Sequence, residues 1–240
     1  MKKIFTLIAF LAVTIGAMAQ SQYFYEWKNG KYVRRSLSEV DSITFTLPET
    51  PYVDLGLPSG TLWADRNVGA DSPEAYGDYF AWGETTTKSI YDWSTYKWCQ
   101  GSWTTMTKYC SKSSNGTVDN KTILDLEDDA AYVNMGAEWR MPTDTQMSEL
   151  RSKCTWAWTT QNGTKGYKVT GPNGNSIFLP AAGERLDSSL NSAGSRGYYW
   201  SASLAEAYSH SAWGLYFLSE GRGREDNYRN HGRAVRAVVR

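Results

Sequence analysis

An α+β fold is predicted by three features of the 240-residue chain. Short strand-like runs come first, two helix patterns follow near the middle, and a longer series of strand runs separated by glycine-rich turns closes the sequence. Elements segregated in this way build antiparallel sheets with helices to one side, rather than alternating βαβ units. Aromatic residues are abundant, with 11 Trp and 16 Tyr, as suits a domain whose rings fill a core and cover its sheet faces. The length allows one substantial core plus a short appendage.

Residues 1–19, "MKKIFTLIAFLAVTIGAMA", combine a two-lysine start, an apolar run from Ile4 to Ile15, and small residues at Ala17 and Ala19. That is the pattern of a secretory signal peptide cut before Gln20. The run is short for a bilayer span of ~20 residues, no cysteine at the cleavage point offers a lipid anchor, and no later run could cross a membrane. Export to the periplasm, cell surface or medium is expected. Residues 20–50 read as a leader module. Tyr23, Tyr25 and Trp27 alternate on one face, Asn29-Gly30 is a strong hairpin turn, "KYVRR" returns, and "SITFTL" supplies a third strand before Pro48 and Pro51 mark a boundary.

Residues 51–240 form the principal domain. "YVDLGLPSGTLWADRNVG" and "GDYFAWGE" predict short strands and turns. Residues Thr85 to Asp119 are rich in Thr, Ser, Lys and Trp without periodicity, and are expected to be a long surface excursion. A first helix places Leu126, Ala130 and Val133 on one face, with the acids Glu127 to Asp129 in its first turn, where the helix dipole favours them, and Gly136 at its end. A second opens at "PTDTQMSEL": Thr143 and Gln146 make a capping box, and Met147, Leu150 and Cys154 the buried stripe. Strands follow at "TWAWTT", "NGTKGYKVTGPNGNSIFLP", "GYYWSAS", "AWGLYF" and "AVRAVV". In "AWGLYF", Trp213, Leu215 and Phe217 should face the core while Gly214, Tyr216 and Leu218 face out.

Without Lys2 and Lys3 the chain holds 23 basic against 25 acidic residues, which gives no ground for a nucleic-acid or anionic-membrane partner. Three cysteines, Cys99, Cys110 and Cys154, permit one disulfide in an oxidising compartment; Cys99–Cys110 would close a short loop, and the aromatic core needs no staple at this length.

The motifs "YVDLGLPSGTLWADRNVGA", "GDYFAWGE", "LEDDAA", "EWRMPTDTQMSEL", "NGNSIFLPAAG", "GYYWSAS" and "GRAVRAVV" resemble the Fibrobacter succinogenes major paralogous domain, common in secreted proteins of gut Bacteroidetes. The resemblance covers Tyr52 to Arg240. It implies a C-type-lectin-like fold, related to the formylglycine-generating enzyme and to the variable proteins of diversity-generating retroelements. The hairpin with "SLSEVDSITF" looks like a leader module of secreted Bacteroidetes proteins.

Catalysis is not expected. The enzyme relative needs a late cysteine pair, and no cysteine follows Cys154. No G-x-S-x-G or H-E-x-x-H occurs, and His210 and His231 lie too far apart, without a third ligand, to suggest zinc. "DLEDD" lacks the glycine and distal glutamate of a calcium loop, and the Glu-Pro-Asn, Gln-Pro-Asp and Trp-Asn-Asp motifs of calcium-dependent sugar binding are missing. No cofactor and no metal are expected.

The stretch "SEGRGREDNYRNHG" (Ser219 to Gly232) holds no aliphatic side chain. A solvated hairpin loop is one account of it; a contact surface is the other. Six of 13 arginines lie in the last 22 residues, and no lysine follows Lys168. Arginine is the cation favoured at contact surfaces, and Tyr216, Tyr228 and His231 add amphipathic rings. The stretch also matches the place where C-type-lectin-like variable proteins display their ligand-contacting residues. The expected contacts are Tyr208, His210, Tyr216, Arg222, Arg224, Asn227, Tyr228, Arg229, Asn230 and His231, acting on a protein or glycan ligand outside the inner membrane. Residues 205–231 are rich in Asn, Asp, Ser, Gly, Tyr, His and Arg, the set that adenine mutagenesis of asparagine-type codons yields, so a diversified receptor is a further expectation. The rivals are a fimbria-associated envelope subunit, assembling through an exposed edge or the Tyr23–Trp27 face, and an enzyme. Oligomeric state is not legible.

Overall fold

The computed structural model describes the backbone of strands β1 (Tyr23–Lys28) and β2 (Lys31–Ser36) and all of residues 52–239. The signal peptide, the Asn29-Gly30 turn, the "SITFTL" strand and the proline boundary lie outside the described residues. Two compact units emerge, residues 1–49 and 50–240. In the first, β1 and β2 pair antiparallel from Tyr23↔Ser36 to Lys28↔Lys31.

The second unit is α+β, with small antiparallel sheets and two helices. One sheet joins β3 (Tyr52–Asp54), β4 (Leu62–Ala64) and β13 (Val238–Val239), and so ties the start of the domain to its end. A meander follows the helix Asp144–Lys153, with β5 (Thr155–Gln161), β6 (Thr164–Thr170) and β7 (Ser176–Pro180) in order. A short hairpin pairs β8 (Glu184–Leu186) with β9 (Ser189–Asn191). The last sheet runs β10 (Arg196–Leu204), β11 (Ser211–Leu218) and β12 (Gly221–Tyr228).

Helix α2 (Asp144–Lys153) starts where the sequence places it. Thr143 caps it: its Oγ1 accepts from Gln146 N while Gln146 Oε1 accepts from Thr143 N, satisfying two of the orphan donors at the helix start. Met147 and Leu150 are buried, each contributing roughly 1.5–3 kcal/mol of burial. The first helix differs from its expected form. Leu126–Asp128 is a 3-10 turn, and α1 (Ala130–Met135) begins only after Asp129, whose Oδ1 accepts from Ala131 N and Tyr132 N. Leu126 and Val133 are exposed, and the buried face is Ala130 and Ala131.

The segment Thr85 to Asp119 has no regular helix or strand, yet it is no surface excursion. Tyr91, Tyr96, Met106, Tyr109 and Cys110 are buried in the core. Tyr91 Oη donates to Tyr79 O at 2.6 Å and Tyr96 Oη to Trp82 O at 2.7 Å, so isolated rings anchor the loop through their polar tips. No disulfide forms among the described residues. The Cys99 thiol donates to Trp93 O and the Cys110 thiol to Lys112 O, each satisfied on its own.

The closing segment is interior. Leu215 and Phe217 face the core as expected, but Trp213 is only half-buried beneath the Arg224 guanidinium. The "AVRAVV" strand shrinks to Val238–Val239, although Ala234, Val235, Ala237 and Val238 are all buried. Three arginines in this region are buried as well: Arg229, Arg233 and Arg236. Arg233 meets Glu225 Oε1 at 2.7 Å and Glu184 Oε2 at 2.9 Å. Arg236 has no carboxylate partner among the described residues. It donates instead to Asn67 Oδ1 and to the carbonyls of Ala64, Asp65 and Phe178, and burial lowers its pKa to about 10.

Candidate ligand-binding groove

Ser219 to Gly232 is neither a loop nor a uniform surface. Gly221–Tyr228 pairs with β11 from Leu218↔Gly221 to Ser211↔Tyr228, leaving Ser219 and Glu220 as a two-residue connection. Exposure alternates along β12, as a half-buried strand requires. By that alternation Arg222 and Arg224 share a face with Phe217 and Leu215. Arg224 is held by Asp144 Oδ1 at 2.9 Å and lies 3.2 Å from the Trp213 ring centroid; Arg222 stands over Trp156 at 5.0 Å. Tyr216 lies on the opposite face, across from Gly223, where an added Cβ would come within 2.5 Å of its ring.

Arg229, Asn230 and His231, expected to be contact residues, are buried. Arg229 is fully enclosed by three rings, 4.8 Å from the Trp82 centroid, 5.3 Å from Tyr96 and 5.8 Å from Tyr109. Its N–H groups go to the carbonyls of Lys108, Tyr109 and Ser209 and to Tyr96 Oη. Asn230 donates to Tyr91 O, and His231 Nδ1 stands 3.3 Å from Glu184 Oε2. Burial opposes ionisation of Glu184, but the His231 hydrogen bond and the Arg233 charge outweigh it and hold its pKa below the ordinary value. These three residues fasten the strand end to the core, and the expectation that they touch a ligand is corrected.

Four other predicted residues come together. Tyr208, His210, Asn227 and Tyr228, with Ser211 and Asp226, line a groove of 330 Å³. The Ser211↔Tyr228 pair closes the ladder, so the Ala205–His210 turn and the end of β12 meet at one end of the sheet. The turn is fixed from below. Ser209 is buried, Ser111 N donates to its Oγ at 2.9 Å, and Arg229 Nη1 donates to its carbonyl at 2.8 Å. Tyr208 and His210, on either side of it, are left more exposed.

His210 lies at the centre of the rings. Its centroid is 5.0 Å from Trp103, 5.6 Å from Tyr228 and 5.9 Å from Tyr208. Tyr228 in turn packs on Trp93 at 5.8 Å. Asn115 Nδ2 lies 3.2 Å from His210 Nδ1; with that amide as donor, Nδ1 is the acceptor and Nε2 carries the proton. Burial lowers the His210 pKa, with Asp226 opposing, so the ring is neutral at pH 7. Asn115 is placed by Gly116, whose φ of 144° and close approach to Met106 exclude a side chain.

Trp93, Trp103, Asn115 and Asp226 escaped the sequence reading. The one available signal was the tryptophan content of an otherwise polar segment between Thr85 and Asp119. Elsewhere, Asp125, Glu127 and Asp128 converge closely enough to suggest a cation site. A lysine ammonium fills that role: Lys108 Nζ is 2.6 Å from both Asp125 Oδ2 and Asp128 Oδ2, and Lys121 reaches Asp125 at 2.6 Å. The Cys99 and Cys154 thiols are poor nucleophiles, since burial raises the Cys99 pKa and pushes Cys154 up to about 11. No helix among the described residues is long and apolar enough to cross a membrane. No family model matches the chain, and no curated protein or solved structure matches it.

Proposed function

We propose that this chain is an exported, non-catalytic recognition protein of C-type-lectin-like fold, binding a protein or glycan ligand through the groove around His210. The carrying observation is the placement of Tyr208 and Tyr228. They are 56% and 48% exposed in the lining of one groove, which sets two large amphipathic rings side by side at the surface. A few rigid aromatic side chains in one depression are the usual anchors of a binding surface. The C-type-lectin-like reading draws support from the ordered motifs and from two helices that precede the closing antiparallel strands. Export draws support from the charged, apolar and small-residue sequence of residues 1–19.

If the surface is diversified, the exchangeable positions are Tyr208, His210, Tyr216, Arg222, Arg224, Asn227 and Tyr228. Arg229, Asn230 and His231 are fixed by the interior. A coding sequence without an adjacent reverse-transcriptase gene and template copy would remove diversification and leave binding untouched. The recognition reading is tested with the Tyr208→Ala/Tyr228→Ala double variant, measuring thermal unfolding and adhesion to host and bacterial cells. Unchanged unfolding with lost adhesion is expected. Unchanged adhesion in the folded variant rejects the groove as the binding site.

A further inference from the structure

The groove has a definite electrostatic character. Its rings are inclined to one another, 42° between Tyr208 and His210 and 58° between His210 and Tyr228, so they are not stacked and present their faces at different angles along an open groove. The negative faces of aromatic rings attract cations. Asp226 is the single carboxylate in the lining, and His210 adds no positive charge while neutral. The nearest buried cation, Arg229, has its donors committed to carbonyls and to Tyr96.

The lining offers the Asp226 carboxylate and a few hydroxyls as acceptors. Asn227 Oδ1 already accepts from Tyr228 N at 2.7 Å. A methylated ammonium needs no hydrogen-bond acceptor and can rest on the ring faces and the Asp226 charge alone. At the rim the sign of the charge reverses. Lys112 is exposed, its Nζ lies 5.9 Å from the Tyr208 ring centroid, and it makes no ion pair among the described residues. A groove of 330 Å³ sits at the small end of ligand pockets, suited to a headgroup-sized moiety.

We propose that the groove binds a phosphocholine group, with its trimethylammonium between Tyr208, His210 and Tyr228 beside Asp226 and its phosphate on Lys112. The inference rests on the recognition reading above and names its ligand chemistry.

The test uses the full exported chain and calorimetric titration with phosphocholine, choline, 3,3-dimethylbutyl phosphate (carbon in place of the ammonium nitrogen) and a trimethyl-lysine peptide. Saturable phosphocholine binding is expected, weakened about tenfold by Tyr208→Ala or Tyr228→Ala and by the carbon isostere. Lys112→Ala should weaken phosphocholine about threefold to fivefold and leave choline unchanged. Equal binding of the isostere overturns the proposal, as does preference for the trimethyl-lysine peptide. So does capture by phosphatidylcholine vesicles that soluble phosphocholine fails to compete, since the bilayer and not the headgroup would then be the ligand. If phosphocholine fails while adhesion still depends on Tyr208 and Tyr228, the ligand class falls and the recognition reading survives. If both fail, both are rejected.

Discussion

Tyr228 and Arg229 are neighbours in the chain and occupy opposite environments. The phenol is 48% exposed in the wall of a groove, whereas the guanidinium is 0% exposed among three rings and a set of backbone carbonyls. The contrast extends to either side. Upstream, β12 alternates exposed and half-buried positions; downstream, every residue from Arg229 to Val238 is buried. Arginine content does not separate the two regions, because both are rich in it. The end of the β11–β12 ladder separates them. Past Ser211↔Tyr228 the chain leaves the sheet, enters the interior, and needs polar groups that satisfy one another there.

The sharpest break in the comparison comes from removing the interior charges. Arg233→Met leaves Glu184 and Glu225 in a largely buried setting without their shared partner, and a loss of about 3–5 kcal/mol is expected. Arg229→Ala opens a cavity and strips donors from the carbonyls of Lys108, Tyr109 and Ser209. At roughly 1–3 kcal/mol for each orphaned group, a loss of at least about 3 kcal/mol is expected. Denaturant midpoints at constant slope measure both. If either variant unfolded as the wild type does, the interior role of the closing segment would be refuted.

How much of this was open to sequence reasoning follows from the range of each interaction. The Thr143–Gln146 capping box spans three residues and was legible, as were the strand runs at β5, β6 and β11. Strand β12, without aliphatic residues, was not read as a strand, and "AVRAVV" forms one only at Val238–Val239. The first helix was legible only as a helix. Its apolar stripe was misplaced because Asp129 caps it from inside the expected first turn. The long loop between Thr85 and Asp119 was misjudged because Tyr91 and Tyr96 hold it through bonds to Tyr79 and Trp82, which no local period reveals. The groove was half legible. Tyr208, His210, Asn227 and Tyr228 stand close in sequence, but Trp93, Trp103 and Asn115 reach it only through that loop.

A smaller effect is expected at a site remote from both regions. Thr143→Ala removes the hydroxyl that accepts from Gln146 N, and a loss of about 1 kcal/mol is expected. Thr143→Ser should recover most of it, with denaturant melts as the check. A loss as large as that of Arg233→Met would mean that α2 supports the groove and the interior alike, and would blur the distinction between them.

The smallest stability effect belongs to the groove itself. Tyr208→Ser and Tyr228→Ser should each shift stability by about ±0.5 kcal/mol while weakening binding about tenfold, the reverse of what Arg229→Ala does. Acidity offers a second handle on the same residues. Because burial lowers the His210 pKa below its usual 6.5, the unfolded chain takes up this proton first as pH falls. The stability that neutral His210 contributes is therefore complete above pH 6.5 and is lost as pH falls through its folded value. Affinity for a cation should decline over the same window, since a protonated imidazole would stand in the wall of the groove. His210→Gln should flatten both profiles, measured by thermal unfolding and by titration across pH 5–8. A decline in affinity that persists unchanged in His210→Gln would assign the pH response to other groups and place the histidine outside the recognition step.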